Sequence, residues 1–318
     1  MLWPCMQYTT LGRTGLKVSV AGLGCGGHSR LGQSTGKTEQ ESIGVVRQAL
    51  DFGINLIDTA EAYKTEKIVG KAIQGIRRDQ IVISTKKLCP SRDSKNPSRE
   101  LRRGVEQSLK RLQTDFVDVF YLHGVRPKQY QYARDTLAPV LLQLRDEGKI
   151  RFIGVTEAFI PDPQHAMLKQ ALEDDCWDVM MVGFNLLNQS ARQHVFPKTQ
   201  AKNIGIMDMF AVRNALSRPD HLQKLLAELQ DKKQIDPALC DGKDLLGFLT
   251  ENAKAETIPE AAYRYCRHEP GIDTVLIGTG NVDHLKENVA SLLKEPLVQE
   301  DRQRLGEIFG QVDSVSGN

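Results

Sequence analysis

Eight short apolar runs, each followed by a stretch of helical period, constrain this chain more than any other feature. The runs lie at 18–24, 54–57, 81–85, 117–122, 150–155, 178–182, 204–209 and 273–277. Segments of 3.6 periodicity sit at about 38–52, 65–74, 98–112, 135–147, 163–172, 190–202, 258–268 and 281–293. Short continuous apolar runs read as strands buried on both faces, which a parallel sheet covered by helices requires. Eight strands alternating with eight helices is the pattern of a (β/α)₈ TIM barrel. A doubly wound sheet usually needs fewer strands and gives no reason for eight evenly placed units.

Two departures add detail. "YTTLGRTGLKV" before the first run has the look of an N-terminal β-hairpin with "GRTG" at its turn, suited to plugging one end of a barrel. An extended insertion at 212–257, between strand seven and helix seven, contains helix-like "DHLQKLLAELQDKK" and "GKDLLGFLTENAK". Insertions on that side of a barrel are where substrate loops belong. "QEDRQRLGEIFGQV" reads as a last helix outside the barrel, and "DSVSGN" (313–318) as a frayed tail. Residues 1–318 are thus expected to form one barrel domain.

Composition narrows the function classes. The chain has 318 residues and a formal net charge of +2, so no broad basic field marks a nucleic-acid or membrane-surface binder. No apolar run approaches the roughly 20 residues of a membrane span. The first residues lack a basic segment followed by an apolar one, so no secretory signal is expected. Cys5, Cys25, Cys89, Cys176, Cys240 and Cys266 form no C-x-x-C pair, which fits reduced thiols in the cytoplasm. There is no H-E-x-x-H, and Cys266 with His268 supplies at most half a metal site.

Two glycine motifs mislead. "GLGCGG" (Gly22, Gly24, Gly27) satisfies G-x-G-x-x-G, but polar "HSRLGQSTGKTEQ" intervenes where that fingerprint needs a helix. "GQSTGKT" is one residue short of a P-loop and follows a loop instead of a strand. Both read as a flexible loop after strand one.

Barrel chemistry belongs at the carboxyl ends of strands. Strand two ends in Asp58 with Tyr63 just beyond, strand three in Lys86, and strand four in His123. Alone, each has a plain structural use. Together they form a coherent set. A phenol has a reference pKa of about 10 and is a poor proton donor near neutrality. A neighbouring ammonium favours phenolate, and a carboxylate keeps that ammonium charged. His123 can orient a carbonyl oxygen. The set suits reversible carbonyl reduction, and since no member supplies a hydride, a nicotinamide is required.

"GINLIDTAEAYKTEKIVGKAI", "VISTK", "FVDVFYLHGV", "GKIRFIGVTE" and "VLIGTGNVDHLKEN" together resemble the aldo-keto reductases, from near residue 8 to about 293. The resemblance implies an NAD(P)H-dependent oxidoreductase that reduces an aldehyde or ketone to an alcohol, reversibly. It maps a catalytic tetrad onto Asp58, Tyr63, Lys86 and His123. Lys86 takes the role over Lys87 because it follows Thr85 in the T-K pattern, and Glu61 becomes a solvated neighbour. The resemblance also implies cofactor contacts at Gly24, Gly26, Asp58, Thr156, Glu157, Met181, Met209 and Phe210. At the adenine end it implies Gly278, Thr279, Gly280, Asn281, His284 and Asn288.

The pattern is broken in places. Thr156-Glu157 stands where the family has Ser-Asn, so an NH₂ donor is lost and a negative charge gained. Met181 replaces a glutamine, and Met209 stands where an aromatic ring often stacks. Few basic residues surround the expected 2′-phosphate, leaving the "GTG" turn and the following helix start as the cradle. NADP(H) is favoured and NAD(H) possible. A cofactor-binding regulatory subunit of the same fold, with little turnover, is the alternative that Glu157 and Met181 favour. A barrel enzyme using Lys86 as a Schiff base is a third. The partner is a small-molecule carbonyl or alcohol, with specificity expected in 26–37, 124–134 and 212–257. Arg126, Lys128, Tyr130 and Tyr132 lie close to His123 in sequence. The substrate and oligomeric state cannot be read.

Overall fold

The computed structural model describes residues 5–236, 238, 245–251 and 254–318. Cys240 and, within "GKDLLGFLTENAK", residues 242–244 and 252–253 lie outside the described residues. Two short strands, β1 (Tyr8–Thr10) and β2 (Lys17–Ser19), pair antiparallel with Tyr8 opposite Ser19 and Thr10 opposite Lys17. Gly15 closes the turn at φ 68°, a left-handed conformation that costs glycine little.

Eight parallel strands then close into a barrel. They are β3 (Ala21–Gly24), β4 (Leu56–Asp58), β5 (Val82–Leu88), β6 (Val117–Val125), β7 (Ile150–Glu157), β8 (Val179–Gly183), β9 (Gly205–Met209) and β10 (Thr274–Ile277). β10 pairs with β3 and completes the circle. The run expected as one strand at 18–24 is divided. Ser19 turns its hydroxyl to Ala21 O (2.6 Å) and its N–H to Asn55 Oδ1 (2.7 Å), so the hairpin ends there and the barrel begins at Ala21.

The hairpin plugs the barrel. Leu11, Leu16 and Val18 pack into the lumen with Val82, Val119, Val179 and Met207, all nearly inaccessible. Each such aliphatic chain contributes about 1.5–3 kcal/mol on burial. A larger apolar layer between barrel and helices holds the outside. Local signals set the helix starts. Helix α1 (Glu39–Asp51) begins with a Thr38–Glu41 capping box, and α3 (Pro97–Leu112) with Asn96 accepting from Arg99 N–H. Between them, α2 (Glu66–Ala72) follows the loop that carries Tyr63.

Two expectations change. The helix expected at 190–202 forms as 191–194 and 196–201, because Val195 leaves helical geometry ahead of Pro197. The segment 313–318 is docked, not frayed. Asn185 and Asn188 donate their side-chain amides to Ser316 O (3.1 Å) and Val315 O (2.8 Å), and Ala215 N–H donates to Gly317 O (3.1 Å). Buried amides on the loop after β8 need carbonyl partners, and the tail supplies them.

Candidate active site

The carboxyl ends of the strands surround a cleft of about 570 Å³. Asp58 and Tyr63 line it near the barrel axis, and His284 and Asn288 line it at the far end. Lys86 lies behind this surface, fully buried at the inward-facing end of β5. Its ammonium is held by both Asp58 oxygens (2.7 and 2.5 Å) and by Thr59 O (2.8 Å). Ser84, two residues earlier and so on the same strand face, donates to Asp58 Oδ1 (2.6 Å). Strand period could have identified Ser84. Lys87 points the other way and pairs with Glu61 (2.6 Å), so Glu61 is ion-paired and not simply solvated.

Tyr63 stands over this pair, with the Lys86 ammonium 5.0 Å from its ring centroid. Its hydroxyl shares a 3.3 Å hydrogen bond with His123 Nε2, the rings meeting edge to face. Gly26 makes room for the phenol. A Cβ there would come 2.5 Å from the Tyr63 ring, so the residue serves the tyrosine directly. A bulge aims His123. The register of β6 against β7 shifts between Leu122 and Val125, Gly124 takes φ 59°, and its N–H donates to Thr156 Oγ1 (2.7 Å).

The electrostatics follow from burial. Desolvation works against the Lys86 charge, but Asp58 and Tyr63 outweigh it and hold the ammonium above its ordinary range. Burial raises the Tyr63 pKa, Lys86 opposes that rise, and Asp58 adds to it, so the net direction is up. The sequence argument, which weighed the ammonium alone, gave the opposite direction. Burial and the Lys86 charge push the His123 imidazole down to about 3, so it is neutral near pH 7. The arrangement is a protonated phenol, a neutral imidazole on its oxygen, and a fixed positive charge beneath.

The cofactor residues inferred from sequence divide into two groups. Gly24, Gly26, Met181, Met209, Phe210, Gly278, Thr279, His284 and Asn288 line the cleft together with Asp58. Thr156 and Glu157 do not. Thr156 holds the bulge of β6. Glu157 is fully buried, accepting from His165 Nδ1 (2.9 Å) and Gly183 N–H (2.8 Å), because a carboxylate in the barrel wall needs donors of its own. Gly280 and Asn281 are also outside the lining. Gly280 backs onto Gly32, and Asn281 Oδ1 caps the helix Val282–Leu292 through Asp283 N–H (2.7 Å) and His284 N–H (3.3 Å). Two helix-start donors of the expected phosphate cradle are therefore in use. Tyr130 and Tyr132 serve structure as well, bonding Asp174 (2.6 Å) and Ser91 O (3.4 Å).

Arg213 lines the cleft after β9. Its guanidinium lies 4.3 Å from the Phe210 ring centroid, and Nε and Nη2 donate to Asn318 Oδ1 (3.1 and 2.5 Å). Phe210 has a strained φ of 75° and is buttressed by Phe159, which stacks on His165. No local motif announces this stack; it joins three loops.

Comparison with known proteins adds a family. The model of the Aldo/keto reductase family matches residues 22–309. L-galactose dehydrogenase of Arabidopsis thaliana is 26% identical, the match covering 98% of this chain and 95% of that protein. The aldo-keto reductase AKR11C1 of Bacillus halodurans, in its holo form, superposes with a TM-score of 0.72 at 26% identity, over 95% of this chain and 96% of that one. An aldo-keto reductase from Klebsiella pneumoniae in complex with NADPH shares the fold with a TM-score of 0.68 at 23% identity, over 98% of both chains.

Proposed function

Since this chain belongs to the Aldo/keto reductase family and is an oxidoreductase, we propose that it reduces an aldehyde or ketone with NADPH, with Tyr63 as the proton donor. The observation that carries this reading is the Tyr63 hydroxyl, hydrogen-bonded to His123 and set over a buried Lys86–Asp58 pair at the head of the cleft. A carbonyl oxygen beside Tyr63 and His123 would meet two donors, because a neutral His123 can carry its proton on Nε2. The protonated phenol gives its proton to the developing alkoxide. Lys86 then offsets the negative charge left on the phenolate, and Asp58 keeps Lys86 charged and in place. In the reverse direction the phenolate takes the alcohol proton.

The lining residues fit a nicotinamide dinucleotide. Gly24, Gly26 and Gly278 keep side chains off the floor, Met181 and Met209 offer apolar contact, and His284 and Asn288 offer polar groups at the far end. When bound, that cofactor supplies the hydride. NADPH is favoured over NADH through the bound neighbour of the same fold. The regulatory-subunit alternative loses one support, since Glu157 faces His165 and not the cofactor cleft. The Schiff-base alternative requires a free amine at Lys86, whose ammonium bonds to Asp58 and Thr59 O.

Tyr63→Phe tests the proposal. The variant should retain NADPH binding, read by fluorescence quenching, and lose roughly 10²–10⁴ of its aldehyde reduction rate. Reduction at the parent rate would remove Tyr63 as the acid.

A further inference from the structure

Two observations about the cleft point the same way. The sequence placed anion recognition at the "GTG" turn and the helix start behind it, but three of the N–H groups there are taken. Asn281 N–H donates to Thr279 Oγ1 (3.0 Å), and Asp283 and His284 N–H donate to Asn281 Oδ1. Gly280 is closed off by the backbone of Gly32, 2.3 Å from where a Cβ would sit. Arg213, by contrast, is the one lysine or arginine among the described residues lining the cleft. It is half-buried, and no carboxylate of the described residues is paired to it. Nη1 is directed across the cleft, 3.9 Å from where a Cβ on Gly27 would lie. A half-buried guanidinium facing a cavity without a counter-charge calls for an anion.

We propose that Arg213 is the anion-recognition residue of this cleft, binding a phosphate or carboxylate that lies between Gly27 and Tyr63, with Phe210 and Asn318 as its positioning residues. The flat guanidinium stacks on Phe210, so its plane is set. Asn318 Oδ1 occupies Nε and one edge of Nη2, which leaves the Nη1 edge for the ligand. A neutral amide does this without cancelling the charge. The docked segment 315–318 thereby becomes part of the site, linked to it through Asn185, Asn188 and Ala215. The anion has two sources: the phosphates of the dinucleotide or an acid group on the carbonyl substrate. The inference rests on the reductase reading only for that choice.

The test compares Arg213→Met, Arg213→Lys, Asn318→Ala and Asn318→Asp with the parent. Calorimetric titration with inorganic pyrophosphate and with benzoate reads anion binding without turnover, so it stands even if no carbonyl is reduced. NADPH quenching and kcat/KM for 4-carboxybenzaldehyde against benzaldehyde then assign the source. Arg213→Met should weaken binding of at least one anion by about tenfold or more, the size of one charge-assisted hydrogen bond, and Arg213→Lys should restore part of it. If the phosphates are the source, the NADPH Kd weakens and both aldehydes keep their KM at saturating cofactor. If a substrate acid is the source, the NADPH Kd holds and only the carboxylated aldehyde suffers. Asn318→Asp keeps the acceptor but adds a negative charge, so it should weaken anion binding more than Asn318→Ala. A purely structural role for Asn318 predicts the reverse order. Anion and NADPH binding within about twofold of the parent in Arg213→Met, with unchanged preference between the aldehydes, would overturn the proposal.

Discussion

Lys86 shows what one residue controls here. Its ammonium is buried, and Asp58, Ser84 and Thr59 exist around it as a matched set of charge and donors. Removing one member of a buried pair leaves an uncompensated charge and costs about 3–5 kcal/mol. Lys86→Met removes the positive charge that opposes the burial-driven rise of the Tyr63 pKa. Alcohol oxidation needs phenolate, so its rate should climb with pH in the parent, and in Lys86→Met that limb should move to higher pH with a lower plateau. An oxidation profile that keeps its position would exclude Lys86 as the group tuning the phenol. Lys86→Met, Asp58→Asn is the control for folding, since it removes both charges. His123 gives a second pH expectation. With its imidazole pushed down to about 3 by burial and Lys86, it stays neutral through the working range. Carbonyl reduction should therefore show no acid limb from His123 between about pH 5 and 8, where an ordinary histidine of about 6.5 would titrate. An acid limb near 6.5 that disappears in His123→Gln would contradict that.

At the scale of an element, the strand ends and the loops after them do the positioning. β3 runs into a stretch of small residues, and Gly26, two positions past its end, is where the Tyr63 ring rests. Gly26→Ala should drive the phenol out of place, because the nearest ring carbons would lie 2.5 to 2.7 Å from the new Cβ. We expect kcat for reduction to fall by about 10²-fold, in line with a misplacement of about 1 Å, with little loss of melting temperature. Unchanged kcat would mean that the loop carrying Tyr63 adapts without cost. β6 supplies the complementary device. Its bulge at His123–Gly124 turns the histidine toward Tyr63, and Thr156 on β7 fixes it. This is why a residue expected to touch the nicotinamide is instead bound to the neighbouring strand.

Across the whole molecule, the barrel tolerates one costly buried group that the proposed chemistry does not use. Asp208 on β9 is inaccessible, and neither carboxylate oxygen has a hydrogen-bond partner among the described residues. The nearby Phe184 N–H donates to Met209 O (3.2 Å) and the Cys266 thiol to Phe184 O (3.7 Å). Burial raises the carboxyl pKa well above its usual range. A raised carboxyl in the folded state binds a proton that the unfolded chain releases. Stability therefore falls as pH rises above the unfolded value of about 3.9, by about 1.4 kcal/mol per unit until the folded group ionises. Asp208→Asn should remove that dependence, so its stability advantage in urea unfolding should widen from pH 5 to pH 7. Parallel stability curves for the two proteins would show that Asp208 is ionised in the fold.

The sequence by itself determined the barrel, the plug and the four polar residues at the head of the cleft. Strand period, helix caps and turn residues act within a few positions, so eight βα units, Asp58 beside Tyr63, and Lys86 two residues after Ser84 are all written locally. Tertiary structure decided the rest. Whether Glu157 faced a cofactor or His165, and whether the last residues frayed or docked, depended on partners 8 to 131 positions away. Burial also reversed the direction of the Tyr63 shift, since desolvation depends on everything packed around the phenol and not on its neighbours in the chain. That Arg213 faces the cleft without a counter-charge became visible only when Phe210, Asn318 and Gly27 were brought around it, because an unpaired charge is a property of a three-dimensional neighbourhood.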